Sequence, residues 1–192
     1  MAHHDLIRTA APASALFSVE DAKAWLKISA DDDDDRIEFL IDAVTEFLDG
    51  FDGYLGRALV TQTWALYLPA FPGPGEIAIP LRNLVAVTSV TYRDSAGATQ
   101  TLSSASYHVL AGRQSRLVLV DGQSWPSTAT HPRAVTVTFT CGYGDADAVP
   151  KAILAAAKRM IEILYDGAEV GSAADAVSSV KAILAPYRHI PV

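Results

Sequence analysis

The sequence has a single cysteine, few charged residues and no long apolar run, and each shortage narrows what the chain can be. Cys141 is the only cysteine among 192 residues, so no disulfide forms within the chain and a reducing compartment is expected. Charged residues make up 19% of the chain against 50% hydrophobic residues, a balance typical of a globular protein. The apolar runs are too short to cross a membrane, and the N-terminus lacks the pattern of an export signal. We therefore expect a globular fold that rests on its hydrophobic core, with no membrane partner.

Clusters of basic residues are also missing, and the negative charge is unevenly placed. Residues 1–56 carry 13 acidic and 4 basic side chains, a net charge of −9, whereas residues 57–192 carry 9 and 11, a net charge of +2. Binding to nucleic acid without sequence preference needs clustered Lys and Arg that release counterions from the phosphates. The acidic part should therefore repel DNA, and any DNA that passes this protein should not be held by it.

Motifs for catalysis are absent as well. The chain has no Gly-x-Ser-x-Gly elbow and no His-Glu-x-x-His helix, and Gly142-Tyr143-Gly144 lacks the further residues of a nucleotide-binding loop. We interpret Gly142-Tyr143-Gly144 as a corner between a strand and a helix. Cys141 lies on the same side of an alternating strand as Val135, Val137 and Phe139, which predicts a buried, unreactive thiol. The sequence predicts no catalytic residue and no cofactor.

The five consecutive aspartates Asp31–Asp35 are the obvious candidate for a metal site. A helix–loop–helix calcium site needs a glycine at its sixth position and a glutamate at its twelfth. Counted from Asp31, those positions hold Arg36 and Asp42. We therefore predict no metal site, and interpret the run as the acidic start of a helix, where the helix dipole favours carboxylates.

Helical periodicity marks both ends of the chain. Ser18 is a good N-cap with Asp21 three residues later, which predicts a capping box and a short helix ending near Ile28. A second helix, capped by Ser29 or one of the first aspartates, should run to about Gly53 or Gly56.

Two more helices are predicted in the C-terminal part. Pro150 opens the first of them, and Gly167 is a plausible C-cap. Ser172 is the expected cap of the last helix, which Pro186 ends.

Between the helical parts, short segments alternate polar and apolar residues or lie between turn signals, a pattern typical of strands. The candidate strands are Val60–Leu68, Glu76–Ile79, Val85–Tyr92, Thr99–Leu102, Tyr107–Leu110, Leu117–Val120 and Val135–Cys141. The predicted class is α+β, with a helical bundle interrupted by an antiparallel β insertion of about six or seven short strands. The predicted organisation is a flexible N-terminal arm (1–16), the helical bundle (17–58 and 148–186), the β-rich insertion (59–147) and an extended C-terminal tail (187–192).

Several segments, in this order, resemble one protein family over residues 17–188. The set that carries the resemblance comprises Gly-Arg-Ala-Leu and Thr-Gln-Thr-Trp at positions 56–64, then Gly-Tyr-Gly at 142–144 and Val-Pro-Lys at 149–151. With these, the chain resembles the head–tail connector (adaptor) family of tailed double-stranded DNA bacteriophages and gene transfer agents. The family has no catalytic motif to carry over, so the resemblance implies a structural protein and not an enzyme.

The resemblance also implies a location and partners. Family members form a ring, usually of twelve copies, beneath the portal vertex, where the ring extends the DNA channel. The expected partners are further copies of this chain, the portal protein, and a stopper or tail-terminator protein, while DNA passes through without sequence-specific binding. The expected location is the neck of a virion or virus-like particle that is assembled in the cytoplasm of a bacterial host.

Two interaction sites are hypothesised. The terminal residues Tyr187, Arg188, His189 and Ile190 follow a helix stop and are expected to dock onto the portal or a neighbouring subunit. The run Asp31, Asp32, Asp33, Asp34 and Asp35 is expected to face the DNA channel or a seam between subunits.

Two other functions stay open at this point. Within the same kind of particle, the chain could be a tail-side completion protein. From another class, residues 59–141 could form a small ligand-binding or enzymatic β-barrel.

Overall fold

The computed structural model describes residues 5–73, 75–167 and 170–189 of the chain. The strands are β1 (Asp5–Ala10), β2 (Gln62–Leu68), β3 (Ile77–Ala78), β4 (Leu84–Arg93), β5 (Thr99–Thr101), β6 (Tyr107–Leu110), β7 (Arg116–Leu119) and β8 (Val135–Cys141). The helices are α1 (Val19–Leu26), α2 (Asp34–Leu48), α3 (Lys151–Tyr165) and α4 (Val170–Leu184). All strand pairs are antiparallel, so the α+β class is confirmed.

The chain divides into two compact units near the predicted ends of the β insertion. One unit contains the residues up to Pro12 together with Thr61–Gly142, and all eight described strands lie in it. The other contains Ala13–Val60 and the described residues from Tyr143 onward, and the four described helices lie in it. We call them the strand unit and the helical unit.

The strand unit is built around β8. Its five-stranded sheet has the order β1-β2-β8-β4-β5, and a second sheet has the order β3-β7-β6. Along β8 the residues Val135, Val137, Phe139 and Cys141 are buried while the threonines between them are half-buried. This period of two places one apolar face in the core, because successive side chains of a strand point to opposite faces. The predicted burial of the Cys141 thiol is confirmed.

The first strand corrects the prediction of a flexible arm at residues 1–16 for residues 5–10, while residues 1–4 lie outside the described residues. Residues 5–10 pair antiparallel with β2, and Leu6 lies opposite Leu66. The Arg133 guanidinium donates to both carboxylate oxygens of Asp5, at 2.5 and 3.1 Å. Main-chain pairing along the edge of the sheet stabilises this segment, and a six-residue stretch with two large apolar residues is too short to reveal it by periodicity.

The helical unit has one core, and each helix contributes to it through residues three or four apart. From α2 these are Ile37, Ile41, Val44 and Leu48, and from α3 they include Ile153, Ala157 and Ile161. Val180 and Leu184 enter the same core from α4, together with Leu16 and Phe17 from the segment before α1. The helical spacing therefore brings one apolar stripe of each helix to the interior.

Helix ends agree with the sequence in part. The capping box at Ser18 and Asp21 is confirmed, and Gly167 has the left-handed φ of +59° after α3. The predicted extension of α2 to Gly53 or Gly56 is wrong, because Asp49 takes an extended conformation and its Oδ1 accepts a hydrogen bond from the Leu59 amide at 2.7 Å. The prediction of Ser172 as a cap is also wrong, since α4 already begins at Val170.

Candidate interaction surfaces

The aspartate run lies at the start of α2, and part of it binds the helical unit's own cations. The Lys23 ammonium contacts carboxylate oxygens of Asp31 at 2.5 Å and Asp34 at 2.7 Å. These hydrogen bonds raise the pKa of Lys23, and the bond from Lys23 lowers the pKa of Asp31. The run therefore ties the end of α1 to the first turn of α2. Asp32 and Asp35 remain exposed.

A second contact holds the same helix start against the end of α3. The Tyr165 hydroxyl donates to Asp33 Oδ2 at 2.5 Å, which raises the pKa of Tyr165. The Arg36 guanidinium donates to the Tyr165 carbonyl oxygen at 2.8 Å and lies 4.6 Å from the centre of its ring. Within the described ranges, no group of three or more His, Cys, Asp or Glu side chains is arranged to hold a metal ion.

The C-terminal segment corrects the prediction of an extended tail at 187–192 for residues 187–189, which pack against the helical unit, while residues 190–192 lie outside the described residues. Ala185–Tyr187 forms a short 3₁₀ turn, and Tyr187 is half-buried against the helical core. The His189 amide donates to the Leu55 carbonyl oxygen at 2.9 Å, and the Arg188 guanidinium lies 4.9 Å from the Tyr54 ring centre. Of the four hypothesised docking residues, Arg188 is exposed, and Ile190 lies outside the described residues.

Gly56 makes this packing possible. It has a φ of +60°, and a Cβ placed on it would lie 2.3 Å from the His189 carbonyl oxygen. No side chain fits in that space, and an L-residue is strained at that φ. The glycine that opens Gly-Arg-Ala-Leu is therefore explained by the close approach of the C-terminal segment.

Arg57 and Tyr143 join two of the segments that carry the family resemblance, a contact that sequence reasoning missed. Arg57 is 7% exposed, and its Nη1 donates to the Tyr143 hydroxyl at 2.6 Å. The Arg57 carbonyl oxygen accepts from the Gly50 amide at 2.8 Å. A buried arginine needs such partners because burial removes its hydration. Both side chains lie in motifs that carry the family resemblance, and this was the sequence feature that could have indicated the contact. The 86 residues between Arg57 and Tyr143 kept it from being predicted.

The outer face of α2 is acidic around one exposed ring. Phe39 is 70% exposed, and Asp35, Asp42 and Glu46 lie on the same helix face at three- and four-residue intervals. These three carboxylates are exposed, and none of them forms a salt bridge within the part of the chain that is described. We call these four residues the α2 ridge.

A groove of about 360 Å³ lies elsewhere on the helical unit. It is lined from α1 and the segment before it by Leu16, Phe17, Asp21 and Trp25, and from α3 and the turn before it by Ala146, Asp147, Lys151, Leu154, Ala155 and Lys158. Trp25 is 44% exposed, and its indole N–H donates to Glu162 at 3.1 Å. The bond from Arg159 is the main cause of the lowered pKa of Glu162. We call this feature the α1–α3 groove.

A search of curated protein sequences finds no match to this chain. Among the described residues, no helix is long and apolar enough to cross a membrane.

Comparison with protein families and solved structures does find matches. The family model described as "Phage gp6-like head-tail connector protein" matches residues 17–111. A chain in "Neck of empty GTA particle computed with C6 symmetry" matches with a TM-score of 0.77 at 18% identity, covering 97% of this chain and 96% of that one. A chain in "Virion of native gene transfer agent (GTA) particle" gives 0.71 at 19% identity, with 98% and 97% covered. A chain in "Neck of native GTA particle computed with C12 symmetry" gives 0.68 at 20% identity, with 97% and 96% covered.

The family model describes head–tail connector proteins, and the solved structures that share this fold come from gene transfer agent particles. The structural matches extend over both units of the chain, whereas the family model covers α1, α2 and the strands β2 to β6. The resemblance to the head–tail connector family of bacteriophages and gene transfer agents that was noted in the sequence is confirmed by the family model over residues 17–111, and the solved structures share the fold of nearly the whole chain.

Proposed function

We propose that this protein is a structural component of the neck of a tailed phage or gene transfer agent. In this proposal, copies of the chain form a ring, of about twelve subunits as the resemblance implies, between the portal and the stopper or tail proteins. The ring extends the channel through which DNA leaves the head. The helices of the helical unit would form the bundle of each subunit.

The observation that carries the proposal is the match of nearly the whole chain to proteins of gene transfer agent particles. The likeness covers 97% of this chain in a neck structure and combines with the family model over residues 17–111. The matched neck structures were computed with sixfold and twelvefold symmetry, which supports a cyclic arrangement here.

The acidic surface of the helical unit supports a channel or seam location for the aspartate run. Asp32 and Asp35 are exposed, while Asp31 and Asp34 are paired with Lys23. Exposed carboxylates repel phosphates and keep passing DNA from binding. We propose that Asp32 and Asp35 are the members of the run that face the channel or a neighbouring subunit.

Fewer residues of the C-terminal segment are proposed for docking than the sequence suggested. Tyr187 and the His189 amide are used within the helical unit, whereas the Arg188 side chain is exposed over Tyr54. We propose that Arg188 is the member of this segment that contacts the portal or a neighbouring subunit.

Disruption of the gene tests this function in the particle. We expect heads that are filled with DNA but carry no tails, and we expect a plasmid copy of the wild-type gene to restore tailed particles. Normal tailed particles from the disrupted strain would contradict the proposal.

A further inference from the structure

We propose that the α2 ridge of one copy docks into the α1–α3 groove of the next copy, with Phe39 in the groove and Asp35 and Asp42 facing Lys151 and Lys158. This rests on the proposed function, because it names the surfaces through which ring subunits meet. The partner is a second copy of this chain.

Phe39 is the residue of the ridge whose apolar side chain would gain most from burial against a partner. Its side chain is 70% exposed, the largest exposed fraction among the exposed large hydrophobic residues of the described chain. It lies between Asp35 and Asp42, whose carboxylates form no salt bridge among the described residues. An aromatic ring that is surrounded by charges is typical of an interface anchor within a polar rim.

The α1–α3 groove lies on the same unit and has both apolar and cationic side chains, which suit the ring and the carboxylates of the ridge. Its apolar lining includes Leu154 and the half-exposed Trp25, and Lys151 and Lys158 stand along its α3 side. The Lys158 ammonium lies 5.5 Å from the centre of the Phe17 ring. Neither lysine forms a salt bridge within the described ranges, so both are available to a carboxylate of another chain.

The distance between the two aspartates of the ridge equals the distance between the two lysines of the groove. Asp35 and Asp42 are seven residues apart on α2, and Lys151 and Lys158 are seven residues apart on α3, so each pair spans about 10.5 Å along its helix. Phe39 stands between the two aspartates, and Leu154 stands between the two lysines. One carboxylate can therefore face each lysine while the ring reaches the apolar floor, whichever way α2 runs along α3.

The groove also contains two carboxylates of its own. The Asp21 carboxylate accepts hydrogen bonds from the Ser18 amide and hydroxyl in the capping box of α1. Asp147 also lines the groove and is exposed. The two carboxylates balance the two lysines in charge, so the complementarity to the ridge lies in the positions of Lys151 and Lys158 on α3 and not in a net positive charge of the groove.

Because the ridge and the groove are different surfaces of one unit, the contact is heterologous. Each copy would contact one neighbour through its ridge and the other neighbour through its groove. Such contacts close into a ring when the rotation between copies is a whole fraction of a turn.

Charge reversal tests the pairing in the full-length chain. Asp35→Lys with Asp42→Lys, and separately Lys151→Glu with Lys158→Glu, should each weaken self-association about tenfold or more, because like charges then face each other. Mixing the two variants, or combining all four changes in one chain, should restore association. The control Asp52→Lys with Asp121→Lys changes the net charge as much as the aspartate variant does, at exposed positions off the ridge. Sedimentation velocity over a concentration series measures each case, and failure of both rescues would overturn the proposal.

A cysteine trap tests the contact even when association is weak. Cys141 is buried, so Phe39→Cys in one copy and Ala155→Cys in another supply the accessible thiols. Under mild oxidation of the concentrated mixture, we expect a disulfide-linked dimer between these two positions and little of it with Asp52→Cys in place of Phe39→Cys. Equal trapping by both pairs, or none by either, would overturn the proposal.

The experiments distinguish an error in the ridge-and-groove contact from an error in the proposed neck function. If rings form on portals but the trap joins other surfaces, the ridge-and-groove contact is wrong and the neck function remains. If Phe39→Cys is trapped on the portal protein instead of a second copy, the ridge is a portal surface and the proposal is overturned. If the gene is not needed for tailed particles, the function itself fails.

Discussion

Gly56 shows at the scale of one residue how the C-terminal segment constrains the rest of the helical unit. Replacing it with alanine places a Cβ 2.3 Å from the His189 carbonyl oxygen and strains a backbone with a φ of +60°. We expect Gly56→Ala to lower the free energy of unfolding by about 2–4 kcal/mol, the sum of the strain and the displaced packing. Chemical denaturation measures this loss, and faster hydrogen exchange at the His189 amide would show that the segment has been released.

Gly97 supplies the control for this prediction. It has a φ of +84°, but nothing lies within 4 Å of its Cβ position. Gly97→Ala should therefore cost only the backbone strain, about 1–2 kcal/mol. Equal losses for the two variants would mean that the close approach to His189 contributes nothing.

Lys23 gives a prediction with a defined pH dependence. Its pKa is raised by Asp31 and Asp34, so its contribution to stability is present below its ordinary value of 10.5 and is lost as the pH rises through the folded-state value. The pKa of Asp31 is lowered by Lys23, so its contribution is present above 3.8 and is lost as the pH falls through the folded-state value. Lys23→Gln should therefore be less stable than wild type between about pH 5 and pH 9, with the difference shrinking at both extremes.

Thermal unfolding from about pH 3 to about pH 11 measures the difference, with Lys27→Gln as the control. Lys27 is exposed and forms no salt bridge among the described residues. A difference that is the same at pH 3 as at pH 7 would contradict the assigned pairing.

Residue types in the sequence revealed some of these roles and not others. The alternation around Cys141 predicted its burial, because a strand exposes every second residue to one face. The roles of Gly56 and Arg57 depend on His189 and Tyr143, which meet them only after the chain has folded. The exposure of Phe39 agrees with the helical spacing, since Phe39 lies two residues from both Ile37 and Ile41 and therefore off the apolar stripe of α2.

At the scale of elements, local signals located most helices and strands. The capping box at Ser18 and the proline at 150 marked helix starts that the structure contains, because these residues satisfy or avoid the unpaired amides of a first turn. The early end of α2 could not be predicted, because it depends on the hydrogen bond that Asp49 accepts from Leu59.

The strand β1 gives a test at this scale. Removing residues 1–10 uncovers the edge of β2, whose main-chain groups then lack partners. We expect a lower melting temperature and concentration-dependent aggregation, detected by light scattering during thermal unfolding. Removing only residues 1–4 leaves β1 intact and should change neither property, so aggregation of both truncations to the same extent would contradict the role of β1.

At the scale of the whole molecule, the order of segments was more informative than any one motif. Helices, strands and helices in this succession predicted the α+β class, and the set of short motifs predicted the family that the family model then matched over residues 17–111. Of the proposed assembly surfaces, the sequence pointed to Asp35 within the aspartate run but not to the rest of the ridge or to the groove, because exposure follows from how the elements pack. The ridge around Phe39 and the groove beside Trp25 are visible only in the folded helical unit.

The central claim is that this chain forms a ring on the portal. The most direct measurement is co-sedimentation of the purified full-length protein with portal rings from the same genome, followed by electron microscopy of the complex. We predict a second ring of uniform copy number stacked on the portal. A folded protein that fails to bind an intact portal would contradict the claim.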